Sequence, residues 1–167
     1  TNGMLTLGNG NLAVCDMYGH RVVEMSPDGA ILRTFADSFG GKPFDGPNDL
    51  VIDAKGGMYV TDPQFTPGLP KTQPGKSVYY IRPDGTVVRV VEPGAMGNPN
   101  GILLSPDGRT CYINNTRNLP AGNHIMAFDV NADGILSNGR EFATMFVPPA
   151  VLDKGERTSG ADGMRMD

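Results

Sequence analysis

An all-β fold of radially packed meanders is what this sequence predicts, and three observations predict it. A short phrase returns four times, as Asn2-Gly3-Met4, Asn48-Asp49-Leu50, Asn100-Gly101-Ile102 and Asp162-Gly163-Met164. The offsets are 46, 52 and 62 positions, a period of roughly fifty residues that belongs to stacked or radial modules. Asp-Gly and Pro-Asp-Gly pairs stand between apolar runs at Asp28, Asp84, Asp107 and Asp133, where positive backbone dihedrals make tight hairpins. No window carries apolar residues at i, i+3, i+4, i+7 with caps, whereas 23 Gly and 14 Pro punctuate the 167 residues. A four-stranded meander leaves its two faces uncovered, and packing several around one axis covers them. The predicted architecture is a β-propeller.

In chain order, the first unit, 1–47, starts with the strand led by Asn2 and continues with strands over 12–15, 20–25 and 31–35, the last two joined by Ser26-Pro27-Asp28-Gly29. The second, 48–99, has strands over 50–53, 58–61, 77–81 and 86–91, with turns at 54–57 and 82–85. The third, 100–161, has strands over 102–104, 111–114, 125–130 and 141–147, with turns at 105–108 and 131–134. A fourth begins over 162–167. Together they form a single partial propeller domain of about three blades and the start of another.

A hydrophobic fraction of 39% supplies one ordinary core. A net charge of −4, with Lys and Arg scattered singly, gives no basic stripe for nucleic acid or an anionic membrane. No apolar run reaches the roughly 18 to 20 residues that span a bilayer. The first residues carry no signal segment, but the sequence opens within a motif, which leaves localisation undetermined. Cys15 and Cys111 lie in strand-like runs and read as small buried hydrophobes, with a disulfide or a reactive thiol as the other readings.

In a meander the first-to-second and third-to-fourth turns share one face of the propeller. The remaining connections lie on the opposite face, where the long segments 37–47, 63–76, 116–123 and 148–161 fall; long loops on a rigid scaffold are where function collects. The first strand of a blade is innermost, so Asn48, Asn100 and Asp162 project towards the axis at the long-loop face. Two amide oxygens and a carboxylate are hard ligands suited to Ca²⁺ or Mg²⁺. With His20 and His124 as the two histidines, a polyhistidine zinc site is not expected. Calcium takes roughly six to eight oxygens, so another carboxylate and waters are required. An open position on the ion would polarise a carbonyl and lower the pKa of a bound water. Taken singly, each of these residues is also an ordinary turn former; their common phase is what points to a metal. Asn2 is in phase and could line the channel, and Asp49 could either orient a metal-bound water or hold a strand end.

The phrases Pro47-Asn48-Asp49-Leu50-Val51-Ile52-Asp53, Gly57-Met58-Tyr59-Val60-Thr61-Asp62-Pro63, Pro99-Asn100-Gly101-Ile102 and Asp162-Gly163-Met164 resemble those of the senescence marker protein/gluconolactonase/luciferin-regenerating enzyme family over essentially the whole chain. The resemblance implies a six-bladed propeller that holds a divalent metal in its central channel and hydrolyses lactones or related esters. The metal is usually Ca²⁺, with Mg²⁺, Mn²⁺ or Zn²⁺ as alternatives. It further implies that Asn48, Asn100 and Asp162 are metal ligands, beside a Glu from an earlier blade that has no counterpart here, and that Asp162 is the general base or nucleophile. Asn2 and Asp49 are the candidate substrate-binding residues, and the expected partner is a small lactone or ester. Some sugar-lactonase relatives carry an Arg two positions before the residue matching Asn48, where this chain has Gly46. The chain looks like part of a ring that needs further blades to close, and its open strand edges are expected to promote aggregation, pairing or weak metal binding. The competing reading is a non-catalytic propeller that binds or scaffolds, with the same residues packing turns and channel.

Overall fold

The computed structural model describes residues 2–116, 123–145 and 161–166. Three four-stranded antiparallel meanders succeed one another. The first blade contains β1 (Met4–Thr6), β2 (Leu12–Asp16), β3 (Arg21–Met25) and β4 (Ile31–Ala36). A small hairpin follows, β5 (Ser38–Phe39) and β6 (Lys42–Pro43). The second blade contains β7 (Leu50–Ile52), β8 (Met58–Asp62), β9 (Ser77–Ile81) and β10 (Val87–Val91). The third contains β11 (Pro99–Leu104), β12 (Thr110–Asn115), β13 (Asn123–Val130) and β14 (Leu136–Met145). The all-β propeller architecture expected from the repeat is what the chain adopts.

Strand periodicity explains how the blades adhere. Successive side chains on a strand point to opposite faces, and the second blade is covered on both. β8 and β9 are accordingly buried along their whole length. Met58, Val60, Tyr79 and Ile81 enter a core shared with Ala13, Cys15, Val22 and Phe44 of the preceding segment. The alternate residues Tyr59, Val78 and Tyr80 enter a second core with Ile102, Cys111, Ile113 and Phe128 of the third blade. Both cysteines are buried and unoxidised, as small hydrophobes.

The Asp-Gly hairpins form where expected: Gly29, Gly85, Gly108 and Gly134 have φ of 92°, 86°, 67° and 79°, a region that costs a residue with a Cβ. Three features differ from the sequence reading. Within 37–47, Gly40 and Gly41, at φ of 60° and 75°, close the β5–β6 hairpin. In the first blade the strand expected over 20–25 begins at Arg21, and His20, at φ 57°, belongs to the short connection before it. β14 begins at Leu136, earlier than 141, because that side chain belongs to the second core. The long segments expected over 116–123 and 148–161 lie largely outside the described residues, and no strand is assigned over 161–166.

Candidate functional site

Strand register places the recurrent polar residues in equivalent positions. Met4 pairs with Val14, Leu50 with Val60, and Ile102 with Ile113. Asn2, Asn48 and Asn100 each stand two residues before the first member of those pairs, at the end of an innermost strand. The long connection 63–76 lies over the same end, tied down by Asp45. This fully buried carboxylate accepts from the Thr72 N–H at 2.6 Å, the Gln73 N–H at 3.1 Å and the Gln64 amide at 2.5 Å.

Each innermost strand end is held by its neighbour. Asn48 is buried at 3% exposure; its N–H donates to the Thr61 carbonyl at 2.8 Å, and its carbonyl accepts from Gly3 at 2.7 Å. Asn100 is buried at 6%, and its carbonyl accepts from the Thr61 hydroxyl at 2.8 Å. The Asn100 side-chain nitrogen reaches the Ala161 carbonyl at 3.4 Å, while its amide oxygen is buried with no hydrogen-bond partner among the described residues. A carbonyl can only accept, so the amide must turn its nitrogen to Ala161 and its oxygen away.

Asp162 is exposed, and its main-chain carbonyl accepts from the Asn114 side-chain amide. No side chain would fit at Gly101 between Asn100 and Ile102, because a Cβ there would run into that carbonyl and come within 2.7 Å of the Asn114 nitrogen. The sequence candidates Asn100 and Asp162 are therefore brought to adjoining positions. Asp49 lies close enough to Asp162 to feel its charge. Burial chiefly, and Asp162 in addition, push the Asp49 carboxyl above its usual range, against the N–H bonds of Ile102 and Leu50. Those bonds, at 3.1 and 2.9 Å, engage both Asp49 oxygens. Asn2 is exposed, its N–H donating to Cys15 at 3.0 Å.

Sequence reading missed Thr61, Asn114 and the buried Asp62. Their signal was the polar pair that closes the second strand in two blades: Thr61-Asp62 and Asn114-Asn115 stand in the register that Cys15-Asp16 takes in the first. Gly46, where some relatives carry Arg, has φ 148°, and a Cβ there would meet Thr66 at 2.8 Å, so the connection leaves no space for a side chain.

The donor set fits a hard divalent cation on one observation in particular, the buried unpartnered oxygen of Asn100. Among the described residues no group of three or more His, Cys, Asp or Glu converges in a way that could hold a metal, so amide oxygens would have to contribute alongside Asp162.

The model of the SMP-30/gluconolactonase/LRE-like region matches residues 1–167. The chain belongs to this family. A gluconolactonase of Zymomonas mobilis is 29% identical over 142 residues, covering 81% of this chain and 38% of the relative. A solved gluconolactonase from Xanthomonas campestris is 30% identical with a TM-score of 0.74, covering 87% of this chain and 49% of that one. A chain in a nidogen/laminin complex, 18% identical with a TM-score of 0.60 over 86% of this chain and 48% of that one, shares the fold alone. This family member therefore spans about half the length of the two gluconolactonases, or less.

Proposed function

We propose that the complete protein hydrolyses a lactone or related ester at the hub of the propeller, with a divalent cation, Ca²⁺ first, held by Asn48, Asn100 and Asp162. The observation that carries this reading is the Asn100 amide oxygen, buried and without a hydrogen-bond partner among the described residues, beside the segment that bears Asp162. Leaving a buried acceptor unsatisfied costs about 1–3 kcal/mol, and an oxygen-seeking cation would use that lone pair. Family membership and the gluconolactonase relatives supply the reaction class. Hard oxygen donors favour Ca²⁺ and Mg²⁺ over Zn²⁺, and the family resemblance puts Ca²⁺ before Mg²⁺, Mn²⁺ and Zn²⁺.

When bound, such an ion supplies polarisation of the ester carbonyl. The remaining work falls to the chain. Asp162, whose side chain is exposed, takes a proton from the attacking water and returns it to the departing alkoxide oxygen; direct attack by its carboxylate on the carbonyl carbon is the other role open to it. Asp49 stands next to Asn48, where the N–H bonds of Leu50 and Ile102 fix the orientation of its carboxyl beside the substrate. Asn2 borders the channel on the side of the first blade.

Replacing Asp162 by Ala in the complete protein is expected to abolish lactone hydrolysis. Asp107→Ala, in a remote hairpin where the carboxylate bonds Ser105 and the Arg109 N–H at 2.6 and 3.0 Å, should cost stability and leave turnover. Equal loss of activity in both variants, at unchanged circular dichroism, sinks the assignment. The second reading is a non-catalytic scaffold. In its favour, both Asp49 oxygens and the Asn114 amide nitrogen make bonds that a packing hub also needs; it predicts no lactone turnover even in the wild type.

A further inference from the structure

We propose that Thr61 and Asn114 are positioning residues of the hub: each donates a side-chain hydrogen to the main-chain carbonyl of the next blade's hub residue, Asn100 or Asp162, and thereby sets the direction in which that residue's side chain enters the channel. The inference rests on the hub reading above and adds two residues to it.

Thr61 and Asn114 are equivalent in register, each one position beyond Val60 or Ile113, which pair with Leu50 and Ile102. Both are buried, at 0% and 1% exposure, in strands one removed from the axis. The Thr61 hydroxyl donates to the Asn100 carbonyl at 2.8 Å while accepting the Asp49 N–H at 3.1 Å. It thus joins two neighbouring hub segments through one oxygen. Asn114 does the corresponding work one blade later with an amide in place of a hydroxyl, donating to the Asp162 carbonyl.

The first blade supplies the comparison that isolates the constraint. Its equivalent residue, Cys15, is a buried thiol, and the Asn48 carbonyl instead receives the Gly3 N–H at 2.7 Å. A hydroxyl, an amide and a main-chain N–H therefore all converge on the same atom of three successive hub residues. What recurs is the held carbonyl, not any one donor. Because the carbonyl carbon and Cβ share one Cα, anchoring the carbonyl restricts where Cβ can point, and ligand geometry in metal sites is sensitive to such outer contacts.

The test uses the complete protein, with Ca²⁺ affinity read by titration calorimetry and lactone hydrolysis by steady-state kinetics. Thr61→Val and Asn114→Leu should each weaken Ca²⁺ binding about 10–100-fold and lower kcat by a similar factor with little change in KM, while Thr61→Ser, which keeps the donor, should stay within about threefold of wild type. Tyr59→Phe is the control. It removes a buried hydrogen bond between the same two blades, Tyr59 to the Gly134 carbonyl at 2.9 Å, and should lower Tm while leaving Ca²⁺ affinity unchanged. If Thr61→Val behaves like Tyr59→Phe, the residue is structural and the proposal is overturned. A wild type that binds no Ca²⁺ and turns over no lactone defeats the functional reading instead. Crystal structures of Thr61→Val and wild type then decide the positioning claim: it holds if the Asn100 side chain has swung, and falls if its direction is unchanged.

Discussion

Asp62 and Asn115 close equivalent strands and perform one task with different charge. The Asp62 carboxylate accepts the Asp45 N–H at 2.8 Å, and the Asn115 amide oxygen accepts the Asn98 N–H at 2.7 Å. Each bond folds an incoming connection onto the hub. Asp62 is 1% exposed, and burial pushes its carboxyl from the ordinary 3.8 up to about 6, with Asp45 adding to the rise and N–H bonds and Lys71 opposing it. The folded form holds this proton more tightly than the unfolded chain does. Its contribution to stability is therefore complete below about pH 4 and lost as pH rises through about 6. Asp62→Asn, which copies the neighbouring blade's solution, should flatten stability between those values and raise it at pH 8 by about 2–3 kcal/mol, read from urea unfolding at several pH values. A variant less stable than wild type at pH 8 would show that the charge itself is needed. The sequence marks Asp62 only as the close of a recurrent second strand; its buried state follows from the Asp45 segment, 17 positions away, closing over it.

At the scale of elements, the hairpins were legible and the connections were not. Asp-Gly dictates its own backbone, so Gly85, at φ 86° with no atom within 4 Å of a built Cβ, marks a turn wherever it falls. Gly85→Ala should cost about 1–2 kcal/mol from backbone strain alone, seen as a lower Tm with an unchanged circular dichroism spectrum; a neutral result would mean that the turn can change type. The β5–β6 hairpin went unread because its strands are two residues each and carry no alternation. The second blade shows why alternation can hide as well: with both faces covered, β8 and β9 are continuously buried, and which neighbour receives Tyr59 or Val60 depends on blades on either side.

Over the whole molecule, the middle blade is enclosed and the outer ones are not. Met4 at 56%, Ile31 at 47%, Leu32 at 53% and Phe142 at 62% exposure lie on the first and third blades. The 167-residue polypeptide made by itself should therefore self-associate in sizing chromatography, by covering apolar surface and pairing strand edges; a stable monomer with tight stoichiometric Ca²⁺ would contradict this. Residue order alone determined the repeat, the hairpins and the equivalence of Asn2, Asn48 and Asn100, because turn chemistry and strand alternation act over a few neighbouring positions. Tertiary structure alone decided which main-chain carbonyls Thr61 and Asn114 hold and that the Asn100 amide oxygen is buried without a partner among the described residues. Those bonds join atoms 39 and 48 positions apart, and such separations become contacts only when the blades pack.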